Sequence, residues 1–167
     1  MNIETFTARL RHRLLKTGLV ASALVALGAC SINTPYPRLA TPEAAAQAPV
    51  VLVLTHATLD PKRRESFDVH TRRVLAEMTR QPGLLGYSAR REIFGTQAWT
   101  LTIWASEADL ARFMNSPVHR EAVRKGMEGL VAMESKRLLL KRDALPTSWD
   151  QALALLKDPE GRRAYWE

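Results

Sequence analysis

Hydrophobic and polar positions follow two different periods between residues 50 and 158, and each change of period marks a new element. The first strand predicted, VVLVLTHAT, is apolar at nearly every position, which is typical of a strand buried on both faces. The next two alternate with a period of two and are separated by Gly95-Thr96, which predicts a hairpin. The strands predicted are residues 50–58, 84–94, 98–104 and 133–142.

Four other segments carry apolar residues at helical spacing. The first begins at Asp60-Pro61, a typical N-cap and first-turn pair, and is expected to reach about Arg80. The remaining three begin at serines that suit an N-cap: Ser106, Ser116 and Ser148. The order βαββαβ with an extra C-terminal helix predicts a ferredoxin-like α+β fold, an antiparallel sheet with helices on one face.

The hairpin strands are partly apolar on both faces. In residues 98–104, Trp99, Leu101 and Ile103 share one face, while Thr100, Thr102 and Trp104 share the other. Helices on one face would leave the other uncovered, and a large exposed apolar face favours aggregation. We therefore expect a homodimer that packs sheet against sheet. The alternative is a monomer with an exposed sheet.

The N-terminal region is typical of an export signal. Residues 9–16 are basic, and residues 17–27 form an uncharged, mostly apolar run. This run is too short to span a bilayer, which needs about 20 residues, but it suits the apolar region of a signal peptide over residues 1–29. Much of the formal net charge of +7 therefore belongs to this segment.

The end of this segment, Leu27-Gly28-Ala29-Cys30, resembles the lipobox of bacterial lipoproteins. The resemblance implies that Cys30, the only cysteine, is lipidated and anchors the chain to membrane lipid. Because Ser31 follows rather than Asp, the resemblance also implies the periplasmic side of the outer membrane in a Gram-negative source. The alternative is a plain signal peptide with an incidental cysteine.

Composition sets the domain bounds in the rest of the chain and argues against two kinds of site, for nucleic acid and for metal ions. Four prolines in residues 31–49 predict a flexible linker outside the fold, so that the domain spans residues 50–158 and residues 159–167 form a polar tail, frayed or docked. Basic residues are spread rather than clustered, so no nucleic-acid partner is expected. No Cys/His spacing indicates a metal site.

Residues 50–125 resemble the antibiotic biosynthesis monooxygenase-like (ABM-like) family. The segments that carry the resemblance are Pro82–Tyr87, Ala98–Trp104, Ser106–Leu110 with Phe113, and Ser116–Ala122. The resemblance implies a dimeric α+β barrel that needs no cofactor. The family includes cofactor-free oxygenases of polyketide quinones and haem-degrading enzymes. The positions of the haem-degrading type are occupied here by Phe113, Val123 and Thr55 or His56, which do not match, so haem degradation is not expected.

The candidate site residues are histidines and aromatic residues. His119 and His56 are candidate acid/base groups, although a capping role for His119 and a core role for His56 are alternatives. Arg91 could meet an anionic ligand. The candidate pocket residues are Trp99, Trp104, Phe113, Tyr87 and Arg91.

Two functions stay open from sequence. The first is a membrane-anchored lipoprotein that binds a small apolar or aromatic ligand, or a partner. The second is a cofactor-independent monooxygenase of an aromatic or quinone-like substrate.

Overall fold

The computed structural model of the chain describes residues 31–39, 45–159 and 162–166. The predicted signal peptide and Cys30 lie outside the described residues. The strands are β1 (Ser31–Asn33), β2 (Pro49–Leu59), β3 (Leu84–Glu92), β4 (Gln97–Trp104), β5 (Leu130–Lys141) and β6 (Arg162–Trp166). The helices are α1 (Arg64–Met78), α2 (Glu107–Met114), α3 (Pro117–Gly126) and α4 (Trp149–Lys157), and short 3-10 turns cover Pro61–Arg63, Met127–Gly129 and Arg142–Ala144.

The six strands form one antiparallel sheet in the order β1-β3-β4-β2-β5-β6. Its four central strands, with α1 and α2–α3 as the crossovers, make up the ferredoxin-like order βαββαβ, so the predicted fold class is confirmed. The strands β1 and β6 add one strand to each edge. Among the described residues, no helix is long and apolar enough to cross a bilayer.

The helix starts follow the predicted caps. Asp60 accepts a hydrogen bond from the Lys62 backbone at 2.9 Å, and the chain passes through a 3-10 turn into α1. The helix ends at Met78, two residues earlier than predicted. The other three helices each begin after a serine whose side chain accepts a backbone N–H three residues on: Ser106, Ser116 and Ser148.

One face of the sheet packs against α1 and α2, and we call it the helix face; α3 packs on α1. Its buried cluster joins Val51 and Trp104 of the sheet to Met78 of α1 and to Leu110 and Phe113 of α2. These side chains fill the end of the sheet where β2 begins and β4 ends. Burial of large apolar side chains at this end supplies much of the driving force that holds the helices on the sheet.

The opposite face, which we call the second face, is covered by α4. Leu52 and Leu101 of the sheet are fully buried in one cluster with Trp149, Ala152 and Leu156 of α4. The premise that the helices leave this face bare is therefore wrong. The extra helix folds back across it because its own apolar stripe needs a partner. The apolar face that motivated the predicted homodimer is thus covered within one chain. The homodimer itself stays a prediction.

The segment predicted as a linker also differs from expectation. Ser31–Asn33 pairs with β3, and Tyr36 and Leu39 pack against the second-face cluster. The Tyr36 hydroxyl donates a hydrogen bond to the Pro146 carbonyl at 2.9 Å. The prolines made this segment look like a tether, but its apolar side chains bury surface, and that burial decides its position.

The C-terminal residues resolve the choice between a frayed and a docked tail. Arg162–Trp166 forms β6 and pairs with β5 from Met133 to Arg137. The chain after α4 therefore returns to the sheet and extends it at the edge opposite to β1.

Candidate functional site

A cavity of about 380 Å³ lies between the helix face and the first half of α1. Strand β1 borders it at the sheet edge. The volume falls within the range of about 300–1,000 Å³ that is usual for small-molecule sites. The side chains that line it are mostly apolar or carry a hydroxyl, and the sheet residues among them include Thr55, Ala57, Ala89, Ala98 and Thr100.

The cavity exists because small side chains meet across three strands. Thr55 pairs with Thr100, which pairs with Ala89. One rung further, Ala57 pairs with Ala98, which pairs with Arg91. Directly paired residues point to the same face, so these two rungs form a low floor. At the other end of the same face, the larger Val51 and Trp104 leave no such space.

The charged pair of the cavity is Arg91 with Asp68. The Arg91 Nη1 lies 3.2 Å from the Asp68 Oδ2, and both side chains are about 30% exposed. Asp68 comes from α1 and Arg91 from β3, so the pair joins the two walls of the cavity. A guanidinium has five N–H donors, so Arg91 keeps donors for a ligand oxygen while Asp68 orients it.

Three of the predicted pocket residues lie instead in the filled part of the helix face. Trp104 is fully buried, its ring stacks on Phe113 at 5.2 Å, and its Nε1 donates to the Thr102 hydroxyl at 2.9 Å. Tyr87 packs beside this cluster. The structure thus places Trp104, Phe113 and Tyr87 in one packed core cluster, whereas Arg91 lines the cavity. Trp99 also borders the cavity, although its ring stacks on His56 on the second face.

His119 sits at the start of α3, away from the lining of the cavity. Its Nδ1–H donates to the Met114 carbonyl at 3.1 Å, and its ring meets the Phe113 ring edge-on at 4.8 Å. Burial lowers the pKa of His119, and the hydrogen bond to Met114 partly offsets this effect. The contacts of this histidine hold the α2–α3 corner together.

His56 lies on the second face, in a rung of polar and aromatic side chains across four strands. Its ring stacks on Trp99 at 5.2 Å with an interplanar angle of 6°. The Arg90 guanidinium lies 5.7 Å from the Trp99 ring, and the His56 Nδ1 lies 3.3 Å from a Glu134 oxygen. The His56 Nε2 lies 2.6 Å from the Gln97 Oε1. The two candidate histidines are therefore on opposite faces of the sheet and do not share a site.

The residues that form the cavity floor were missed by the sequence analysis. Alanines and threonines are individually uninformative, and they make a floor only because the register aligns them across three strands. A run of small residues at alternate positions of neighbouring strands is the signal that could have found them. Thr55, considered as a haem-site position, is one of these floor residues, while Val123 is exposed on α3. In the described part of the chain, no three His, Cys, Asp or Glu side chains are grouped to hold a metal ion.

Comparison with known proteins agrees with this architecture. Residues 50–125 match the family described as "Antibiotic biosynthesis monooxygenase" (ABM). This segment of the chain, a little under half of its length, is therefore similar to the ABM family. No curated protein matches the sequence.

Solved structures similar to this chain share its fold. A conserved protein from Methanosarcina mazei aligns with a TM-score of 0.51 at 16% identity over 58% of this chain and 96% of its own. A protein from Nitrosomonas europaea, assigned as an antibiotic biosynthesis monooxygenase, has a TM-score of 0.51 at 14% identity over 59% of this chain and 94% of its own.

A third similar structure comes from Lactobacillus acidophilus and is assigned as a monooxygenase. It has a TM-score of 0.50 at 15% identity, and the alignment covers 60% of this chain. The chain spans only half of that protein's length. At these identities the similarity establishes the fold alone, so any reaction has to be argued from the geometry of the site.

Proposed function

We propose that this chain binds a small, flat, largely apolar molecule with one acidic oxygen in the cavity between α1 and the helix face. The observation that carries the proposal is the cavity itself, with a low floor of alanine and threonine and with Arg91, one of three lining arginines, ion-paired to Asp68 at its wall. Apolar walls with few, convergent polar groups are the usual form of a small-molecule site.

The arrangement favours a planar ligand. The floor is one sheet surface, and Phe67 of α1 lies among the residues of the opposite wall. An aromatic ring between them would bury both of its faces. A phenolate or carboxylate on its edge would accept hydrogen bonds from Arg91, which Asp68 holds in place at 3.2 Å.

We further propose that Cys30 carries a lipid anchor that holds the domain at the bacterial cell envelope, on the periplasmic side of the outer membrane. The support is the sequence Leu27-Gly28-Ala29-Cys30 after a basic and an apolar segment. Labelling with a fatty-acid probe would test it, because Cys30→Ser should abolish the label. A protein that stays labelled without Cys30 would refute the anchor.

The binding experiment compares three probes that share one ring system: a carboxylate, a phenol and the unsubstituted hydrocarbon. We expect 2-naphthoate and 1-naphthol to bind to the full chain and naphthalene to bind less well. The variant Arg91→Gln should weaken 2-naphthoate about tenfold and leave naphthalene within about twofold, because a charge-assisted hydrogen bond contributes about 1.5–3 kcal/mol.

The matched control for Arg91 is Arg137→Gln. Arg137 is also a strand arginine of the helix face, and its Nη1 lies 3.0 Å from Glu107 of α2, but it is not among the cavity residues. A second variant, Ala89→Leu, should fill the cavity and weaken all three probes. Equal weakening of 2-naphthoate by Arg137→Gln and Arg91→Gln would contradict a site at Arg91.

A second candidate function is cofactor-independent oxygenation of the bound ligand, and the similarity of residues 50–125 to the ABM family favours it. In the simplest such reaction, 1-naphthol and one O₂ give 1,4-naphthoquinone and one H₂O. The ring gains one oxygen atom, and the second oxygen leaves as water with two hydrogens of the substrate. Arg91 would stabilise the naphtholate, the electron-rich form that reduces O₂.

Oxygen uptake separates the two candidate functions. Uptake with 1-naphthol that equals quinone formed, and that falls in Arg91→Gln but not in Arg137→Gln, would establish oxygenation. Binding of 1-naphthol without uptake would leave a ligand-binding protein.

A further inference from the structure

Large apolar side chains are exposed at one end of the sheet. Phe94 is 71% exposed, Ile93 39% and Ile32 52%. Single exposed apolar residues are common on protein surfaces, but a group of them usually marks a contact site. We call these three residues the apolar tip.

Strand register places the apolar tip in one small region. Ile32 pairs with Arg91, and Ser31 pairs with Glu92, the residue directly before Ile93. Ile93 and Phe94 lie in the loop between β3 and β4, where the Leu59 N–H donates to the Thr96 carbonyl at 2.8 Å. The tip is therefore formed by the start of β1 and the β3–β4 loop together.

The loop is held in place from within, so its apolar side chains stay outward. Arg64, the first residue of α1, donates to the Gly95 carbonyl at 3.1 Å and to the Glu92 carbonyl at 2.5 Å. The Glu92 carboxylate accepts the Gln97 N–H at 3.1 Å. The exposed cations Lys62 and Arg63 stand on the neighbouring turn at the same end of the sheet.

The N-terminal segment joins the fold at this same end, because Ser31 is the first residue of β1. Thirty residues precede Ser31, among them the apolar segment 17–27, and Cys30 is the residue bonded to the start of β1. Two residues of chain span at most about 7 Å, so Cys30 cannot lie farther than that from Ile32. An anchor at Cys30 would therefore meet the membrane beside the apolar tip.

We propose that the apolar tip rests on the phospholipid bilayer, with Phe94 in the acyl region and Lys62 and Arg63 at the headgroups. This inference rests on the proposed lipid anchor and adds a defined orientation to it. The domain does not stand off on a tether, because the fold begins one residue after Cys30. Ile32 belongs both to the tip and to the cavity lining, so the cavity opens close to the bilayer and takes ligands that partition into lipid.

The test measures the depth of two single labels in the full chain, reconstituted in vesicles of phosphatidylethanolamine and phosphatidylglycerol. An environment-sensitive fluorophore is attached at Phe94→Cys, or at Leu139→Cys as the control. Leu139 is equally exposed, at 67%, but pairs with Val51 at the other end of β2, about 25 Å from Leu59. Any signal from Cys30 is common to both variants.

Nitroxide groups on the lipid acyl chains report contact with the bilayer. Because interfacial apolar side chains sit about 5–10 Å deep, we expect quenching at position 94 to exceed quenching at position 139 by about threefold. Equal quenching at the two positions, or stronger quenching at 139, would overturn the orientation. A failed fatty-acid label in the test of Cys30 would remove the anchor, and absent probe binding would remove the ligand. Both outcomes are measured separately from quenching in the vesicle-bound chain, so neither is confused with equal quenching at positions 94 and 139.

Discussion

The two faces of the sheet differ in what covers them and in how closely. The helix face is covered by α1 and α2, which lie within the matched residues 50–125, and it keeps a cavity of about 380 Å³. The second face is covered by Tyr36, Leu39 and α4, all of which lie outside residues 50–125. The matched residues therefore supply most of the cavity lining, strand β1 borders its edge, and segments outside the match close the opposite face.

The alternation of β4 produces this difference. Leu101 and Ile103 point to the second face and are buried, whereas Ala98 and Thr100 point to the helix face and leave space. One strand thus supplies a packed core to one side and a low floor to the other. The cavity of this chain therefore depends on small residues in register rather than on a special motif.

The largest expected effect is on the second face. Trp149→Ala removes a buried ring that meets Tyr36 edge-on at 6.2 Å and donates from Nε1 to the Ser88 hydroxyl at 3.2 Å. We expect the free energy of unfolding in urea to fall by about 3–5 kcal/mol. The uncovered face should also self-associate, which light scattering would detect. Trp149→Phe should lose much less unfolding free energy, and its light scattering should equal that of the wild type.

The next largest effect is a difference in stability between substitutions at two neighbouring positions of β4. Leu101→Ala empties a fully buried position of the second face, and we expect it to cost about 2–5 kcal/mol of unfolding free energy. Thr100→Ala enlarges a cavity that already exists and should cost less than about 0.5 kcal/mol. Urea unfolding of the two variants measures the contrast. Similar losses would mean that the helix face is as closely packed as the second face.

The sequence predicted the elements well and their partners less well. Periods of two and 3.6 found the central strands and the helices, and the serine caps found the starts of three helices. The sequence does not show which segments cover the second face. The docking of α4 and of residues 34–39 depends on contacts between segments that are distant in sequence. The linker was misjudged for the same reason: its prolines are a local signal, whereas the burial of Tyr36 is not.

The same limit applies to the site. Arg91 was found because it shares an alternation face with Tyr87, but its partner Asp68 comes from α1 and is set by the fold. The floor alanines carry no local signal. His56 and His119 drew attention as titratable groups, although the structure gives each a set of contacts outside the cavity.

A smaller effect follows from the docked segment of the second face. Burial raises the pKa of Tyr36 to about 12, and its hydroxyl donates to the Pro146 carbonyl. Since the folded state favours the neutral phenol, this stability is complete below the usual pKa of 10 and is lost as pH rises towards about 12. Tyr36→Phe should cost about 1 kcal/mol at neutral pH. The difference in unfolding free energy between the variant and the wild type should shrink above about pH 10. A difference that stays constant to about pH 11 would contradict a stabilising role for the neutral Tyr36 phenol.

The smallest effect belongs to the helix face, at His119. Burial lowers the pKa of this histidine below its usual value of 6.5, so the folded state favours the neutral ring. The unfolded chain then binds the proton more readily, and stability is complete above the usual pKa and is lost as pH falls below it. His119→Gln should lack this loss, so the wild type should lose more unfolding free energy than the variant as the pH falls from about 7.5 to about 5. Parallel acid dependence of urea unfolding in the two proteins would show that His119 reaches solvent freely, and the α2–α3 corner would then be looser than its contacts with Phe113 and Met114 imply.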